Sequence, residues 1–199
     1  MMSRPDEAPC IRQFFSWAES DCRFSAAFPD SDEEIFFYSI PALEEYFKAG
    51  NHERLNAILA ALFNAEGEVP PGIAEAIVKD YVTVFCILLY RRKGRHIKKF
   101  VECRLNDGLL PFSPTHPHPL FPHGSDQSFF EKFCEQQWSF CCPILSRDSL
   151  RNRHFPENQI LPIADKQRVG AGGSAELFKV RIYDEYNQLH LEDITVVCS

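Results

Sequence analysis

The chain has 199 residues, of which 45% are apolar and 25% charged, with 18 phenylalanines among them. This balance supports a sizeable buried core and argues against disorder of the chain as a whole. A formal charge of -7 argues against a duplex nucleic-acid binder, and eight cysteines without a CxxC pair fit no common zinc spacing.

The N-terminus, Met1-Met2-Ser3-Arg4-Pro5-Asp6-Glu7, carries no apolar leader, so an intracellular protein with reduced thiols is expected, cytoplasmic or else nuclear. Ile11, Phe14, Phe15, Ala18 and Cys22 recur at helical spacing and predict an amphipathic helix. Asp30, Ser31 and Asp32 offer an N-cap for a helix over EEIFFYSI, with Glu33 and Glu34 at the positive end of its dipole and Pro41 at a break or first turn. Residues 42–48 and 53–63 predict two further helices punctuated by Gly50-Asn51, with Leu55, Ile58, Leu59 and Leu62 on one stripe. A turn over 67–72 leads to the longest helical pattern, 73–92, whose apolar stretch YVTVFCILLY is about half of the ~20 residues needed to span a bilayer. Arg91, Arg92, Lys93, Arg95, Lys98 and Lys99 follow. They form a basic run able to bind phosphate, nucleic acid or an anionic membrane, or to act as a localisation signal; the plainer reading is a solvated helix end. Ile97, Phe100, Val101 and Leu105 predict a short helix.

Residues 109–124 hold five of the 14 prolines together with His116, His118 and His123. Their spacing permits a metal ion, but the proline context and the absence of paired carboxylates favour a solvated linker. A helix over 128–136 is followed by a stretch without periodicity, and Cys141-Cys142 reads as a pair of buried or near-buried thiols. Asp21, Glu33, Glu34, Glu44 and Glu45 are candidates for acid–base pairing, with a solvated face as the default reading. Trp17 and Trp138 read as packing anchors.

The last forty residues change character. Arg168-Val169, residues 177–183 and residues 194–198 are β-type, and the first two runs are joined through glycines. The segment Val169-Gly170-Ala171-Gly172-Gly173-Ser174-Ala175-Glu176-Leu177 matches the first part of a kinase glycine-rich loop at Gly170 and Gly172, with Ala175 at the third glycine and Leu177 at the valine. Glycines let the backbone approach phosphate oxygens, and successive N–H groups in such a bend form an anion-binding concavity. The alternating run after the loop predicts a strand, where a dinucleotide-binding loop would lead into a helix. The alternative is a plain β-hairpin with a glycine-rich turn.

The segments 133–145 (FCEQQWSFCCPIL) and 160–182 (ILPIADKQRVGAGGSAELFKVRI) resemble a large family of protein-kinase-like proteins from filamentous fungi. In that family a helical N-terminal region ends in a QW-F-x-x-P segment, matched here by Gln137, Trp138, Phe140 and Pro143. An LPI-type strand and the glycine loop follow, matched at Leu161, Pro162 and Ile163. Ile97-Lys98-Lys99-Phe100 and Leu109-Leu110-Pro111-Phe112 also resemble its pre-kinase region. The resemblance implies ATP as the ligand of Val169, Gly170, Ala171, Gly172, Gly173, Ser174 and Leu177. The strand-3 lysine, the helix-C glutamate and the HRD and DFG residues of a kinase have no counterpart, and no lysine follows Lys179. The expectation is thus a mostly α fold, with a helical region over 1–110, a linker over 111–125, a connecting segment over 126–159 and a small antiparallel β unit over 160–199 that begins a kinase N-lobe and stops short of it. Two or three strands alone are marginal in water, so the β unit is expected to dock on the helical region or to be poorly ordered. The function expected is that of an N-terminal portion of a Ser/Thr-type kinase-like protein, inactive alone and binding nucleotide weakly or not at all. The alternative is a helical interaction or regulatory module, with a protein partner or a kinase domain packed on its helices; no metal, nucleic acid or membrane span is expected.

Overall fold

The structure, a computed structural model, describes residues 8–27, 34–64, 67–113, 125–150, 155–172, 175–189 and 194–198. The described chain is mostly helical with small antiparallel sheets, and it divides into two compact units. The first unit comprises residues 1–23 and 38–140, the second 24–37 and 141–199.

In the first unit, α1 (Pro9–Trp17) starts on a proline, whose missing N–H is no loss in a first turn. It runs into a π-wound turn, Ala18–Cys22, that ends the helix. α2 (Ile40–Phe63) is capped by Ser39, whose hydroxyl accepts the N–H of Ala42 at 3.2 Å, and carries Pro41 in its first turn. The predicted punctuation at Gly50-Asn51 is a left-handed turn: Gly50, Asn51 and His52 all have positive φ, splitting α2 into two helical halves. The single helix expected over 73–92 is three pieces. α3 (Ile73–Ala76), a π-wound turn (Ile77–Tyr81) and α4 (Val82–Tyr90) follow one another, with Tyr81 off the helical path at φ -135°. α5 (Ile97–Glu102) and α6 (Ser125–Gln136), the latter ending in a 3-10 turn (Gln137–Phe140), complete the unit. Its core is aromatic. Phe14 stacks on Phe47 with ring centroids 5.5 Å apart, Trp17 on Tyr46 at 4.2 Å, and Tyr38 on Phe140 at 4.7 Å. Phe130, Phe133 and Phe140 pack in this same core, so residues 125–140 belong with the helices before them.

The helix expected over EEIFFYSI is not formed. Within its described part, Ile35–Tyr38 is strand β2, paired with β1 (Arg23–Ala26), and the helix begins only at Ile40. Ile-Phe-Phe-Tyr is β-branched and aromatic, and a pleated half-buried surface suits it better than a helix. Asp30, Ser31, Asp32 and Glu33 lie outside the described residues.

The second unit holds the three-stranded antiparallel sheet β3 (Ile163–Gly172), β4 (Ala175–Ile182) and β5 (Ile194–Cys198), in the order β3-β4-β5. A short helix, α7 (Arg147–Leu150), precedes it. Phe37, Leu145, Ile160, Ile182, Tyr186 and Leu189 form its core. Segment 24–37 is tied to the sheet by the Ala27 N–H, which donates to the Ile163 carbonyl at 2.8 Å, and by the Tyr183 hydroxyl, which donates to the Ser25 carbonyl at 2.9 Å. Segment 141–160 is tied by Leu145, which exchanges backbone bonds with Tyr186 and Gln188. The β unit therefore gains its apolar cover from residues 24–37 and 141–160, which answers the marginality of isolated strands.

Candidate functional site

The glycine segment forms the β3–β4 hairpin. Arg168 pairs with Phe178, Gly170 with Leu177, Ala171 with Glu176 and Gly172 with Ala175, while Gly173 and Ser174 fall outside the described residues. The register shifts between Arg168 and Gly170, so Val169 is the extra residue of a bulge and falls with Gly170 opposite Leu177. Val169 is 50% exposed, and Leu177 is half-buried. The hairpin is braced across its strands by Arg168, whose Nη2 meets Glu176 Oε1 at 2.7 Å, and by Lys166, whose Nζ lies 5.1 Å from the Phe178 ring centroid. β5 then pairs antiparallel with β4, Val180 opposite Ile194 and Leu177 opposite Val197.

Gly170 is informative because nothing in the fold demands glycine there. Its φ is not among the positive values, and a Cβ built on it would meet only Leu177, at 3.8 Å, an ordinary contact. Glycine inside a strand is unfavourable by roughly 0.5–1 kcal/mol relative to alanine. Gly94 is the opposite case: a Cβ there would lie 2.7 Å from Leu62 Cδ1, so internal packing requires glycine.

The other candidates are placed as follows. His116, His118 and His123 lie outside the described residues. Among the described residues, no three or more His, Cys, Asp or Glu gather as a metal site would require. Asp21 is exposed and accepts the Ser20 hydroxyl, and Glu44 pairs with Lys48 at 2.6 Å, while Glu33 lies outside the described residues. Burial raises the thiol pKa of Cys86 and Cys142, and pushes Cys134 up to about 12, so none is a thiolate nucleophile near neutrality. Trp17 and Trp138 are half-buried.

The polar cluster around Glu19 was not among the sequence candidates. Glu19 sits in the π-wound turn after α1 and accepts the hydroxyls of Tyr38 at 2.7 Å and Tyr90 at 3.3 Å, while Arg23 pairs with it. Burial holds both tyrosine hydroxyls above their ordinary pKa, so they remain protonated donors. The Arg23 partner, four residues on, is visible in the sequence; the tyrosines are 19 and 71 residues away and leave no local mark.

Two segments that carry the family resemblance are joined by one side chain. Gln137 is fully buried; its Oε1 accepts the Phe112 N–H at 2.7 Å, and its Nε2 donates to the Phe112 and Cys134 carbonyls, both at 2.9 Å. The chain matches no family model, no curated protein and no solved structure.

Proposed function

We propose that the chain is the leading portion of a protein-kinase-like protein, with the β3–β4 hairpin serving as its nucleotide-phosphate loop. The observation that carries this reading is Gly170. A glycine that neither backbone conformation nor internal packing requires, in the bulged strand of a hairpin, is the residue an external phosphate needs for close backbone approach. Val169, exposed at the bulge, and Leu177, paired with Gly170 beside it, supply apolar surface for the base of a nucleotide. Phosphoryl transfer needs Mg²⁺ held by acidic ligands and a positioned catalytic aspartate, which the 199 residues do not supply in kinase motifs, so the chain alone is expected to bind ATP weakly and to transfer no phosphate.

The test is amide chemical-shift mapping with millimolar ATP and Mg²⁺, on the parent chain and on Gly170→Ala. Shifts centred on residues 169–177 that Gly170→Ala abolishes, with its melting temperature unchanged or raised, support the reading. Shifts absent from the parent, or equal in the variant, overturn it.

A second reading makes the helical unit an interaction or regulatory module. The observation favouring it is that this unit has a complete aromatic core of its own, from Ile11 to Phe140. Capture of a kinase domain or other partner by residues 1–140, with loss of capture when exposed residues are changed, would support it; no retained partner would count against it.

A further inference from the structure

The basic run that follows α4 and enters the first turn of α5 is not a loose tail. α4 ends with the Arg92 N–H donating to the Leu89 carbonyl at 2.9 Å and the Lys93 N–H to the Leu88 carbonyl at 2.8 Å, the pairing that closes a helix through a left-handed residue. That residue is Arg92, at φ 54°. Gly94 is wedged against Leu62 and Leu89, the Arg95 Nε donates to the Leu62 carbonyl, and Ile97 is fully buried, so the turn is fixed at three points along its length.

Six of the nine residues 91–99 are Arg or Lys, in a chain whose net charge is -7. Lys98 reaches Glu102 at 4.0 Å. Among the described residues, Arg92, Lys93 and Lys99 are exposed and make no ion pair, and the buried Arg91 Nε has no hydrogen-bond partner. The left-handed position at 92 suits glycine better than arginine. A rigid turn that presents unpaired cations, one of them at a position unfavourable to its own backbone, is pre-organised for an anionic partner.

We infer that the turn over 91–99 is a docking surface for an acidic peptide segment of a partner protein. Charge complementarity selects the class, since the arginine fork matches carboxylates bidentately. Extent selects the peptide. A membrane or a duplex is an extended polyanion that meets a chain of net charge -7 over more than the patch, whereas a short acidic segment meets the cations alone. This inference does not rest on the nucleotide reading.

The full chain is titrated with a fluorescein-labelled oligoglutamate peptide, and in parallel with phosphatidylserine vesicles and a short DNA duplex. The comparison variant combines Arg92→Gly, Lys93→Gln and Lys99→Gln; Lys93→Glu with Lys99→Glu is the second variant, which leaves the turn at 92 untouched. Expected is salt-sensitive peptide binding that weakens about tenfold in the first variant, the sum of three exposed charge pairs. It is abolished in the second, with the helical circular dichroism of both unchanged. No peptide binding, equal binding by both variants, or preferential binding of vesicles or DNA overturns the inference.

Discussion

Asp107 is a half-buried carboxylate used as a cap. Its two oxygens accept the backbone N–H groups of Thr83 at 2.9 Å and Val84 at 2.8 Å, donors left unpaired where Tyr81 departs from the helix at the start of α4. Burial dominates its proton affinity and, with a smaller contribution from Glu44, raises its pKa from 3.8 to about 6 although both N–H bonds oppose the rise. The folded chain therefore binds this proton more tightly than the unfolded one. Between about pH 4 and pH 6 stability falls as pH rises, and above that window the charge is a standing cost on the order of 3 kcal/mol. Denaturant unfolding from pH 4 to 7 is expected to show this decline, and Asp107→Asn to flatten it; an Asn variant with the parent's slope would assign the titration elsewhere. Gln137 works by hydrogen bonding without charge. Gln137→Leu keeps the volume but strips partners from the Phe112 N–H and carbonyl, with an expected loss of about 2–4 kcal/mol, read from the denaturation midpoint. Neither role is legible in the sequence. Asp107 lies 24 and 23 residues from the groups it caps and Gln137 lies 25 from Phe112, so no local spacing betrays them. Gln137 was marked only as a point of family resemblance.

At the scale of elements, periodicity located α1, both halves of α2, α5 and α6, because each has a buried stripe at helical spacing and bounding Gly or Pro residues. It failed at β2, where a plausible cap and a four-residue apolar run, three of it aromatic, carry no period long enough to separate strand from helix. The glycine hairpin was legible as strand, bend and strand because alternation survives in residues 177–182, although the bulge at Val169 was not. The break in α2 was legible as a punctuation mark and illegible as a conformation. Three successive left-handed residues, two of them Asn51 and His52, are strained in a way that glycine is not. His52→Gly is expected to stabilise the chain by about 1 kcal/mol. Gly94→Ala, which drives a methyl group into Leu62, is expected to destabilise it by about 1–3 kcal/mol. Thermal melts of the two variants, moving in opposite directions from the parent, check both.

For the whole molecule, the two cores are assembled from interleaved pieces of chain, and this is what a reading along the sequence could not supply. Residues 24–37 sit between helices of the first unit yet pack in the second. Phe24 lies 5.6 Å from Phe37 and 4.7 Å from Tyr183, Phe37 lies 5.3 Å from Tyr186, and Tyr183 is hydrogen-bonded to Ser25 across 158 residues. A pairing so remote leaves only β-type residues at each end, with nothing to match one end to the other. It has a consequence for dissection. A chain cut after Phe140 keeps every buried core residue of the helical unit but strips Phe24, Ile35 and Phe37 of the surface that covers them. Such a chain is expected to retain helical circular dichroism while binding a hydrophobic dye through the uncovered β1–β2 hairpin. Adding residues 141–199 as a separate peptide is expected to quench that dye signal. A Phe37→Ala version of the shortened chain should lose most of the rescue, since Phe37 is the fully buried ring around which Tyr183, Tyr186 and Phe24 gather. If the cut chain bound no dye, or if the added peptide left the signal unchanged, the packing of residues 24–37 in the second core would be refuted.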